Sequence, residues 1–250
     1  MPDVIVFDLF DTLVDLRWEE LPLVDWGEGP QRSTFGVLHE VLQPVNGMTL
    51  AEFASALKTA DAAFKYAYWN EDREITTERR FGEFIDGLGL DGHPDHTGIV
   101  GRLTAAHLGA LTHAASTPVH HREVLGRLRS RCRLAVCSNY SHTPNALHIL
   151  ERDGLREYFD VVVVSADVGL RKPHPRIFER VFEELDLPLG SALHVGDSLA
   201  KDVVGAAPLG LETVWITRRI EDPAATRADY DGPPPDHVIA ELSELEALLG

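Results

Sequence analysis

Carboxylate, hydroxyl and ammonium side chains stand in four separate segments of the chain, most of them next to an apolar run. The side chains are Asp8, Ser138, Lys172, Asp197 and Asp202. A carboxylate such as Asp8 can act as a nucleophile on phosphorus, giving an aspartyl-phosphate that water later hydrolyses. Carboxylates can also hold Mg²⁺, and hydroxyl or ammonium groups can bind the oxygens of an anionic substrate. Brought together, these five side chains would suit the hydrolysis of a phosphate ester.

Six short apolar runs predict the strands that must position these groups. They are Val4 to Asp8, Arg133 to Ser138, Val161 to Ser165, Leu193 to Gly196, Thr213 to Ile216 and His237 to Ile239. Most are continuous rather than alternating, which indicates parallel strands buried on both faces. Helical patterns separate them, over His120 to Arg131, Thr143 to Glu151 and Pro175 to Leu185. This alternation predicts an α/β fold with a Rossmann-like, doubly wound parallel sheet, in which we expect Asp8, Ser138 and Asp197 to converge.

A long segment interrupts the alternation of strands and helices. From about Asp15 to Ala115 the sequence shows no convincing strand and several amphipathic helical patterns. Thr49 to Glu52 has the capping-box pattern that begins a helix. Two further helices are predicted, one capped by Thr77 and one over Gly101 to His113. We therefore predict two domains, a sheet-containing core of residues 1–15 and 116–250 and an inserted all-helical domain of residues 16–115.

The overall composition restricts the partners. The formal net charge is −17 over 250 residues, which argues against a nucleic-acid partner because binding to a phosphate backbone needs a basic surface. No apolar stretch is long enough to cross a bilayer and no secretory signal precedes the first strand, so we expect a cytoplasmic protein without a membrane partner. The twelve His residues show no spacing typical of a zinc site. Nothing in the sequence specifies an oligomeric state.

Four motifs, taken in order along the chain, resemble those of the haloacid dehalogenase-like (HAD) hydrolase superfamily, whose members mostly cleave phosphate esters. The motifs are Asp8 to Thr12, Ser138 with Asn139, Gly169 to Pro175, and Gly196 to Asp202. The fourth is the most specific, since it resembles the form found in Mg²⁺-dependent phosphohydrolases. One large branch of the superfamily carries a helical cap domain directly after the first motif, where the helical insert stands here. The resemblance therefore covers nearly the whole chain.

The resemblance implies which groups perform the attack and hold the metal ion. Asp8 would be the nucleophile of a Mg²⁺-dependent phosphohydrolase acting on a small phosphorylated metabolite. Asp8, Asp197 and the backbone carbonyl of Phe10 would bind Mg²⁺. Thr12 would assist catalysis through its backbone or its hydroxyl, although satisfying the turn is an equally good explanation for a Thr at this position.

The resemblance also implies which groups bind the substrate. Ser138 would donate a hydrogen bond to a phosphoryl oxygen, and the neighbouring Asn139 would contribute to the same binding region. Lys172 would neutralise the phosphoryl oxygens and hold the acids in place. Asp202 would complete the catalytic set near the beginning of a helix, where the helix dipole also favours negative ligands.

Phe10 departs from the pattern of the superfamily's phosphatases, which carry an Asp two residues after the nucleophile to protonate the leaving group and then activate water. Phe10 cannot transfer a proton, and general acid–base help is typically worth ~10²–10⁴-fold in rate. Three explanations stay open. Asp11 could serve if the turn is unusual, although strand alternation points it away from the face of Asp8. The substrate could instead have a good leaving group, or the reaction could involve no phosphate.

Two alternatives to phosphate hydrolysis follow from Phe10. The 2-haloacid dehalogenases of the superfamily carry an aromatic residue at this position and Ser–Asn in the second motif, as in Ser138 and Asn139 here, and act on carbon without Mg²⁺. Against them, Asp197 beside Asp8 would place two carboxylates together without a cation, at a cost in repulsion. The other alternative is a phosphate-binding module with impaired catalysis. We favour the phosphohydrolase, because the predicted metal site is intact.

Substrate choice is predicted to depend on the inserted domain. One cluster of aromatic and charged residues there could recognise a planar or anionic group. Its members are Tyr66, Tyr68, Trp69, Arg73, Glu74, Arg79 and Arg80. The stronger interpretation is structural, with aromatic rings packed inside the domain and arginines solvated or ion-paired.

Overall fold

Two compact units make up the chain in the computed structural model, which describes residues 2–250. The first unit contains residues 2–15 and 116–250, and the second contains Leu16–Ala115. Each unit has a hydrophobic core of its own residues. No helix within residues 2–250 is both long enough and apolar enough to span a bilayer.

A six-stranded parallel sheet forms the centre of the first unit. Its strands are β1 (Val4–Phe7), β2 (Arg133–Ser138), β3 (Val161–Val164), β4 (Ala192–Gly196), β5 (Glu212–Ile216) and β6 (His237–Ile239). Their order across the sheet is β6-β5-β4-β1-β2-β3, and every neighbouring pair is parallel. The predicted Rossmann-like α/β core is confirmed, and each predicted strand agrees with the observed one to within one residue at either end.

Helices connect the strands of the first unit. The α-helices are His121–Arg129, Thr143–Arg152, Ser165–Val168, Pro175–Leu185, Val204–Ala206, Pro223–Ala228 and Leu245–Leu248. A π-helical turn spans Leu199–Val203, and 3₁₀ turns span Arg156–Tyr158, Ala207–Leu209 and Leu242–Glu244. The helix after the third motif buries Ile177, Phe178 and Val181 against Val4 and Val6 of β1, because residues three and four apart share one side of a helix.

Burial of β1 fixes the strand end that precedes Asp8. All four residues of Val4–Phe7 are at most 1% exposed. Burying one Val, Ile or Phe side chain contributes roughly 1.5–3 kcal/mol. The position of Asp8 is therefore set by a tightly packed strand, whereas an irregular surface loop would leave it free to move.

Four α-helices form most of the second unit. They are Phe35–Asn46, Leu50–Ala67, Thr77–Gly87 and His96–Ala114, with 3₁₀ turns at Trp18–Glu20 and Trp69–Glu71. The predicted capping box is confirmed, since the side chains of Thr49 and Glu52 each accept a hydrogen bond from the backbone N–H of the other. The predicted cap at Thr77 is wrong by one residue. Thr76 has the extended backbone of an N-cap, and its hydroxyl accepts from the Arg79 N–H.

A short antiparallel strand pair corrects the prediction that the insert is all-helical. Leu23–Val24 pairs with Gln31–Arg32. The intervening turn contains Gly27 and Gly29, both with positive φ (105° and 88°), which L-residues with side chains rarely adopt. Two-residue strands are too short to show a periodicity of two, so the sequence gives no signal for them. Two further short strands, Asp15–Leu16 and Ala115–Ser116, stand where the chain passes between the units.

A buried histidine makes the stability of the second unit depend on pH. His107 Nδ1 lies 3.0 Å from the hydroxyl of Thr34, and burial lowers the pKa of His107 from 6.5 to about 3. As the pH falls, the unfolded chain takes up this proton before the folded chain does. The contribution of neutral His107 to stability is therefore present above pH 6.5 and lost as the pH falls from there towards 3.

We expect acid to destabilise the wild type more than a His107→Gln variant. The difference in the free energy of unfolding between pH 7 and pH 3 should reach on the order of 3–5 kcal/mol, because each pKa unit corresponds to about 1.4 kcal/mol. Urea unfolding at several pH values measures it. His148→Gln, which changes an exposed histidine on the helix Thr143–Arg152, is the matched control and should follow the wild type. Parallel pH profiles for wild type and His107→Gln would contradict the assignment.

Candidate active site

The carboxyl ends of β1, β2 and β4 bring polar side chains to one edge of the sheet. Phe7, at the end of β1, is level with Val136 of β2 and Val195 of β4. Asp8 follows, and its backbone N–H donates to the Val195 carbonyl at 2.8 Å. The strand order changes direction between β1 and β4, and open α/β sheets bind ligands outside such a switch point. Asp8 therefore lies where a ligand is expected.

Lys172 forms a buried bridge between two carboxylates of the first unit. Its Nζ donates to Asp8 Oδ1 at 2.6 Å and to Asp202 Oδ1 at 2.7 Å, and its side chain is 1% exposed. Burial alone would lower the pKa of Lys172, but the carboxylates of Asp202 and Asp8 outweigh burial and raise it. Lys172 is therefore charged at neutral pH and holds both acids in fixed orientations.

Asn139 fixes the backbone of Lys172. Its Oδ1 accepts from the Lys172 N–H at 2.7 Å, and its Nδ2 donates to the Lys172 carbonyl at 2.9 Å. The sequence predicts Asn139 as a substrate-binding residue. In the structure both ends of its amide are engaged with Lys172, so its observed role is to position that lysine. A contact between Asn139 and substrate stays a prediction.

His194 contacts Asp202 but was missed by the sequence analysis. It is buried in the middle of β4, and its Nε2 lies 3.0 Å from Asp202 Oδ1. The other Asp202 oxygen accepts from the Ser198 N–H at 2.9 Å. Gly196 permits this approach, because a Cβ atom there would come within 2.2 Å of the Asp202 carboxyl carbon. Burial alone would raise the pKa of Asp202, but the charge of Lys172 and the contact with His194 outweigh burial and hold that pKa well below the usual range.

Three carboxylates form a group that fits a divalent cation. One oxygen from each of Asp8, Asp197 and Asp202 lies within 4.8 Å of the other two. Burial, and then the charges of Asp8 and Asp202, raises the pKa of Asp197 to about 8, and a bound cation would relieve this repulsion. An all-oxygen donor set suits Mg²⁺ better than a softer metal. Asp8 and Asp197 are the better ligands, since both Asp202 oxygens already accept hydrogen bonds.

Two buried hydroxyls at the predicted site have no hydrogen-bond partner within residues 2–250. They are Ser138 Oγ and Thr12 Oγ1, on residues that are 1% and 0% exposed. Leaving a buried hydroxyl without a partner costs roughly 1–3 kcal/mol. Such groups are rare in folded proteins, and a bound ligand or water usually satisfies them. Both hydroxyls therefore have unused hydrogen-bonding capacity.

The turn after Asp8 is unusual at Phe10 and Asp11. The Phe10 ring packs on Tyr140, with ring centres 4.8 Å apart. Asp11 has a left-handed backbone (φ 57°), so strand alternation does not decide where its side chain points. One Asp11 oxygen lies 3.6 Å from Arg219 Nε, and the charge of Asp11 helps to raise the pKa of Asp197. Asp11 thus stays near the acids, whereas the Phe10 side chain offers no proton. The Phe10 carbonyl as a metal ligand stays a prediction.

A family model for haloacid dehalogenase-like hydrolases matches residues 2–210. The chain belongs to this family. The predicted membership is confirmed, and the protein is therefore assigned as a hydrolase of the HAD superfamily.

Curated relatives of this hydrolase include phosphatases. It is 31% identical over 150 residues to the pyrimidine 5'-nucleotidase YjjG of Escherichia coli (strain K12), and the match covers 60% of this chain and 64% of that protein. It is 35% identical over 96 residues to the glyceraldehyde 3-phosphate phosphatase of Pyrococcus abyssi (strain GE5 / Orsay), covering 38% of this chain and 40% of that protein. The chain thus spans less than two thirds of the length of the curated relatives it matches.

A solved structure extends the similarity to the whole hydrolase chain. The 2-haloacid dehalogenase from Pseudomonas syringae pv. Tomato DC3000 matches with a TM-score of 0.75 over 100% of this chain and 98% of that chain. The two sequences are 21% identical. At that level the likeness shows a shared fold and does not distinguish phosphate chemistry from halide chemistry.

The aromatic and arginine cluster in the second unit of the hydrolase is occupied by internal contacts. Arg79 donates to Glu83 at 2.6 Å and to the Tyr68 hydroxyl at 2.7 Å. Arg80 donates to both oxygens of Asp61. These contacts favour the structural interpretation of the cluster over substrate recognition.

Proposed function

We propose that the protein is a Mg²⁺-dependent phosphohydrolase that cleaves a small phosphorylated metabolite through an aspartyl-phosphate on Asp8. The observation that carries this proposal is the group of buried Asp8, half-buried Asp197 and buried Asp202, two of which accept from Lys172. With all three acids ionised, the group carries more negative charge than Lys172 neutralises, and a divalent cation would stabilise that ionised form. The nucleotidase and the phosphatase among its relatives support the same chemistry.

Asp8 supplies the nucleophile in this proposal. Lys172 holds Asp8 Oδ1 at 2.6 Å, which leaves Oδ2 to attack phosphorus. The attack forms an O–P bond to Asp8 and breaks the bond from phosphorus to the leaving oxygen, which takes its proton from solvent. Water then attacks the aspartyl-phosphate, and the products are inorganic phosphate and the regenerated carboxylate.

The buried hydroxyls and Lys172 bind the phosphoryl group. Ser138 Oγ and Thr12 Oγ1 have free hydrogen-bonding capacity, and phosphoryl oxygens are strong acceptors. The charge of Lys172 balances the negative charge that gathers on those oxygens. Asn139 acts indirectly, because its side chain holds both the backbone N–H and the backbone carbonyl of Lys172.

The donor set supports one arrangement for a bound metal ion. When bound, Mg²⁺ stabilises the charge on the phosphoryl oxygens. Asp8 and Asp197 would hold it, with the Phe10 carbonyl as the predicted third ligand. Asp202 keeps Lys172 in place by accepting a hydrogen bond from its Nζ. Asp202 is itself held by the Ser198 N–H and by the neighbouring His194.

Residues 16–115 act in this proposal as a cap domain that limits access and selects the substrate. Closure of such a domain excludes water and completes a catalytic site. Two relatives, the pyrimidine 5'-nucleotidase and the glyceraldehyde 3-phosphate phosphatase, support a small phosphorylated metabolite as the substrate. We place the enzyme in the cytoplasm as part of the same proposal.

A second candidate function is halide displacement from a 2-haloacid. The packing of Phe10 on Tyr140 favours it, because an aromatic residue replaces the proton-transferring acid of a phosphatase. In this reaction Asp8 attacks carbon, the halide leaves with the bonding electron pair, and water hydrolyses the ester. The position of Asp197 beside Asp8 argues against it, since halide displacement uses no cation that would offset the repulsion between the two acids.

A panel of substrates tests the proposal. Phosphate release would be measured from alkyl phosphates, phenolic phosphates and acyl phosphates, with Mg²⁺ and with excess chelator, and halide release from 2-haloacids in parallel. We expect phosphate release that requires Mg²⁺ and is fastest for the good leaving groups, because Phe10 cannot protonate a poor one. Halide release without Mg²⁺ would overturn the proposal. Phosphate binding without any turnover would instead identify a catalytically impaired module.

A further inference from the structure

Two histidines and one glutamate form a second group of potential metal ligands in the first unit. One ligand atom from each of His120, His121 and Glu241 lies within 4.8 Å of the other two. The group shares no residue with the carboxylates around Lys172, and the reaction proposed above makes no use of it. Two of its three donors are imidazoles, which are softer than carboxylates.

His121 is oriented so that one ring nitrogen is free to bind a metal. The residue is fully buried (0% exposed), and its Nδ1 lies 2.9 Å from the Leu13 carbonyl. A carbonyl can only accept, so Nδ1 carries the proton and Nε2 presents its lone pair. Nε2 is buried and has no hydrogen-bond partner within residues 2–250. A backbone carbonyl behind the non-ligating nitrogen is the usual arrangement for a metal-binding histidine.

His120 and Glu241 complete a donor set of suitable size. His120 Nε2 lies 3.4 Å from Glu241 Oε2, and the two histidine rings meet edge to face with centres 4.7 Å apart. With metal–ligand bonds of about 2.0–2.1 Å, the ligand atoms of a tetrahedral site lie about 3.4 Å apart. Glu241 Oε2 is itself buried without a hydrogen-bond partner. Two residues of this group, His121 and Glu241, therefore each have one buried side-chain atom without a hydrogen-bond partner within residues 2–250.

The surrounding charges allow a cation at this position. The Nε of Arg218 lies 3.9 Å from Glu241 Oε2, which is too far for a hydrogen bond. Arg218 is paired with Asp15, which accepts from both of its terminal nitrogens. If both imidazoles are neutral, the charges of Arg218, Asp15 and Glu241 add up to a net charge of −1. A divalent ion would be attracted by that excess and would not face an unpaired arginine.

We propose that His120, His121 and Glu241 bind a divalent transition-metal ion of the Zn²⁺ type, with water in the fourth position. Two imidazole nitrogens and one carboxylate oxygen are a donor set that zinc accepts and that Mg²⁺ disfavours. The ion links segments far apart in the sequence, since His121 begins a helix, Glu241 caps the 3₁₀ turn Leu242–Glu244, and His121 also holds the Leu13 carbonyl. The site therefore stabilises the first unit and is independent of the proposed phosphohydrolase reaction.

Zinc titration of the metal-free protein tests this proposal. The protein would be stripped with chelator, dialysed and titrated with ZnCl₂ in a calorimeter, for wild type, His120→Ala and Glu241→Gln. Both changed side chains are nearly half exposed, so the variants should fold, and Gln keeps an oxygen for the cap. We expect each variant to lose one equivalent of zinc or to bind it at least ~10-fold more weakly. Saturating zinc should raise the melting temperature of the wild type by about 5 °C and that of His120→Ala less.

Two further variants assign the lost equivalent to this group. Asp197→Asn weakens the carboxylate group near Asp8 and should retain the equivalent that His120→Ala loses. His237→Ala removes another His–carboxylate pair, whose atoms lie 2.6 Å apart without a third ligand, and should bind zinc as the wild type does. Equal zinc stoichiometry, affinity and thermal shift in wild type and His120→Ala would overturn the proposal and assign the buried nitrogen to a water molecule. Loss of the equivalent in His237→Ala would also overturn it.

Discussion

Replacing Asp8 with Asn should abolish phosphate release, lowering kcat by ~10⁴-fold or more, as the removal of a catalytic nucleophile does in other enzymes. The amide of Asn has the size of the carboxylate but cannot form the aspartyl-phosphate. Phosphate release from an acyl or phenolic phosphate measures the loss. The intermediate can be measured directly by quenching the reaction in acid and determining the phosphate bound covalently to the protein. We expect bound phosphate on the wild type and none on Asp8→Asn.

The fold should survive this change, so that the loss reports chemistry. Lys172 keeps its second carboxylate, because Asp202 Oδ1 lies 2.7 Å from its Nζ. Removing the charge of Asp8 also removes a source of repulsion at Asp197. We therefore expect circular dichroism and cooperative unfolding close to those of the wild type.

Asp222→Asn is the matched control for the same chemical change elsewhere. Asp222 is exposed and caps the helix Pro223–Ala228 by accepting from the Ala225 N–H at 2.9 Å. Asn caps helices about as well as Asp, so this variant should keep full activity. Undiminished turnover in Asp8→Asn would remove Asp8 from the role of nucleophile and, with it, the aspartyl-phosphate.

The sheet was predictable because burial on both faces leaves a simple pattern in the sequence. Val4–Phe7 and Val161–Val164 are uninterrupted apolar runs, and both are strands of the parallel sheet. Strand ends carry the reactive groups, so placing the strands also predicts which edge of the sheet carries Asp8. The short pair Leu23–Val24 and Gln31–Arg32 was missed for the opposite reason, since two exposed or half-buried residues leave no such pattern.

Contacts inside the site were less predictable because they depend on distances between motifs. Asn139 and Lys172 belong to different motifs, and only the fold shows that the amide of one holds the backbone of the other. His194 looks like one more member of a strand, yet it reaches Asp202 because Gly196 leaves room for that carboxylate. Neither contact has a spacing signal in the sequence.

The group of His120, His121 and Glu241 was also not predictable from the sequence, because its members do not form a local motif. His120 and His121 are adjacent in sequence, and adjacent residues on one helix do not normally face the same ligand. His120 precedes the helix that begins at His121, which permits the two rings to approach each other. Glu241 follows the last strand, so no local motif connects it with the histidines.

Replacing Phe10 with Asp should raise activity on alkyl phosphates, which have poor leaving groups, by ~10²-fold or more if a missing general acid limits the reaction. The same change should have little effect on acyl phosphates, whose leaving group needs no proton. The ratio of the two gains is the diagnostic quantity, because a general change in folding or binding would alter both rates together. Initial rates under saturating Mg²⁺ measure it.

The structure allows this substitution and supplies its control. Phe10 is half-buried and packs on Tyr140, so an Asp there loses one aromatic contact and keeps partial access to water. Phe10→Asn has the same shape as Phe10→Asp without the proton and should leave the alkyl phosphate rate at the wild-type level. A gain confined to Asp assigns the deficit to proton transfer. No gain in a folded Phe10→Asp would move the search to Asp11, whose left-handed turn keeps it near Asp197, or to halide chemistry at Asp8.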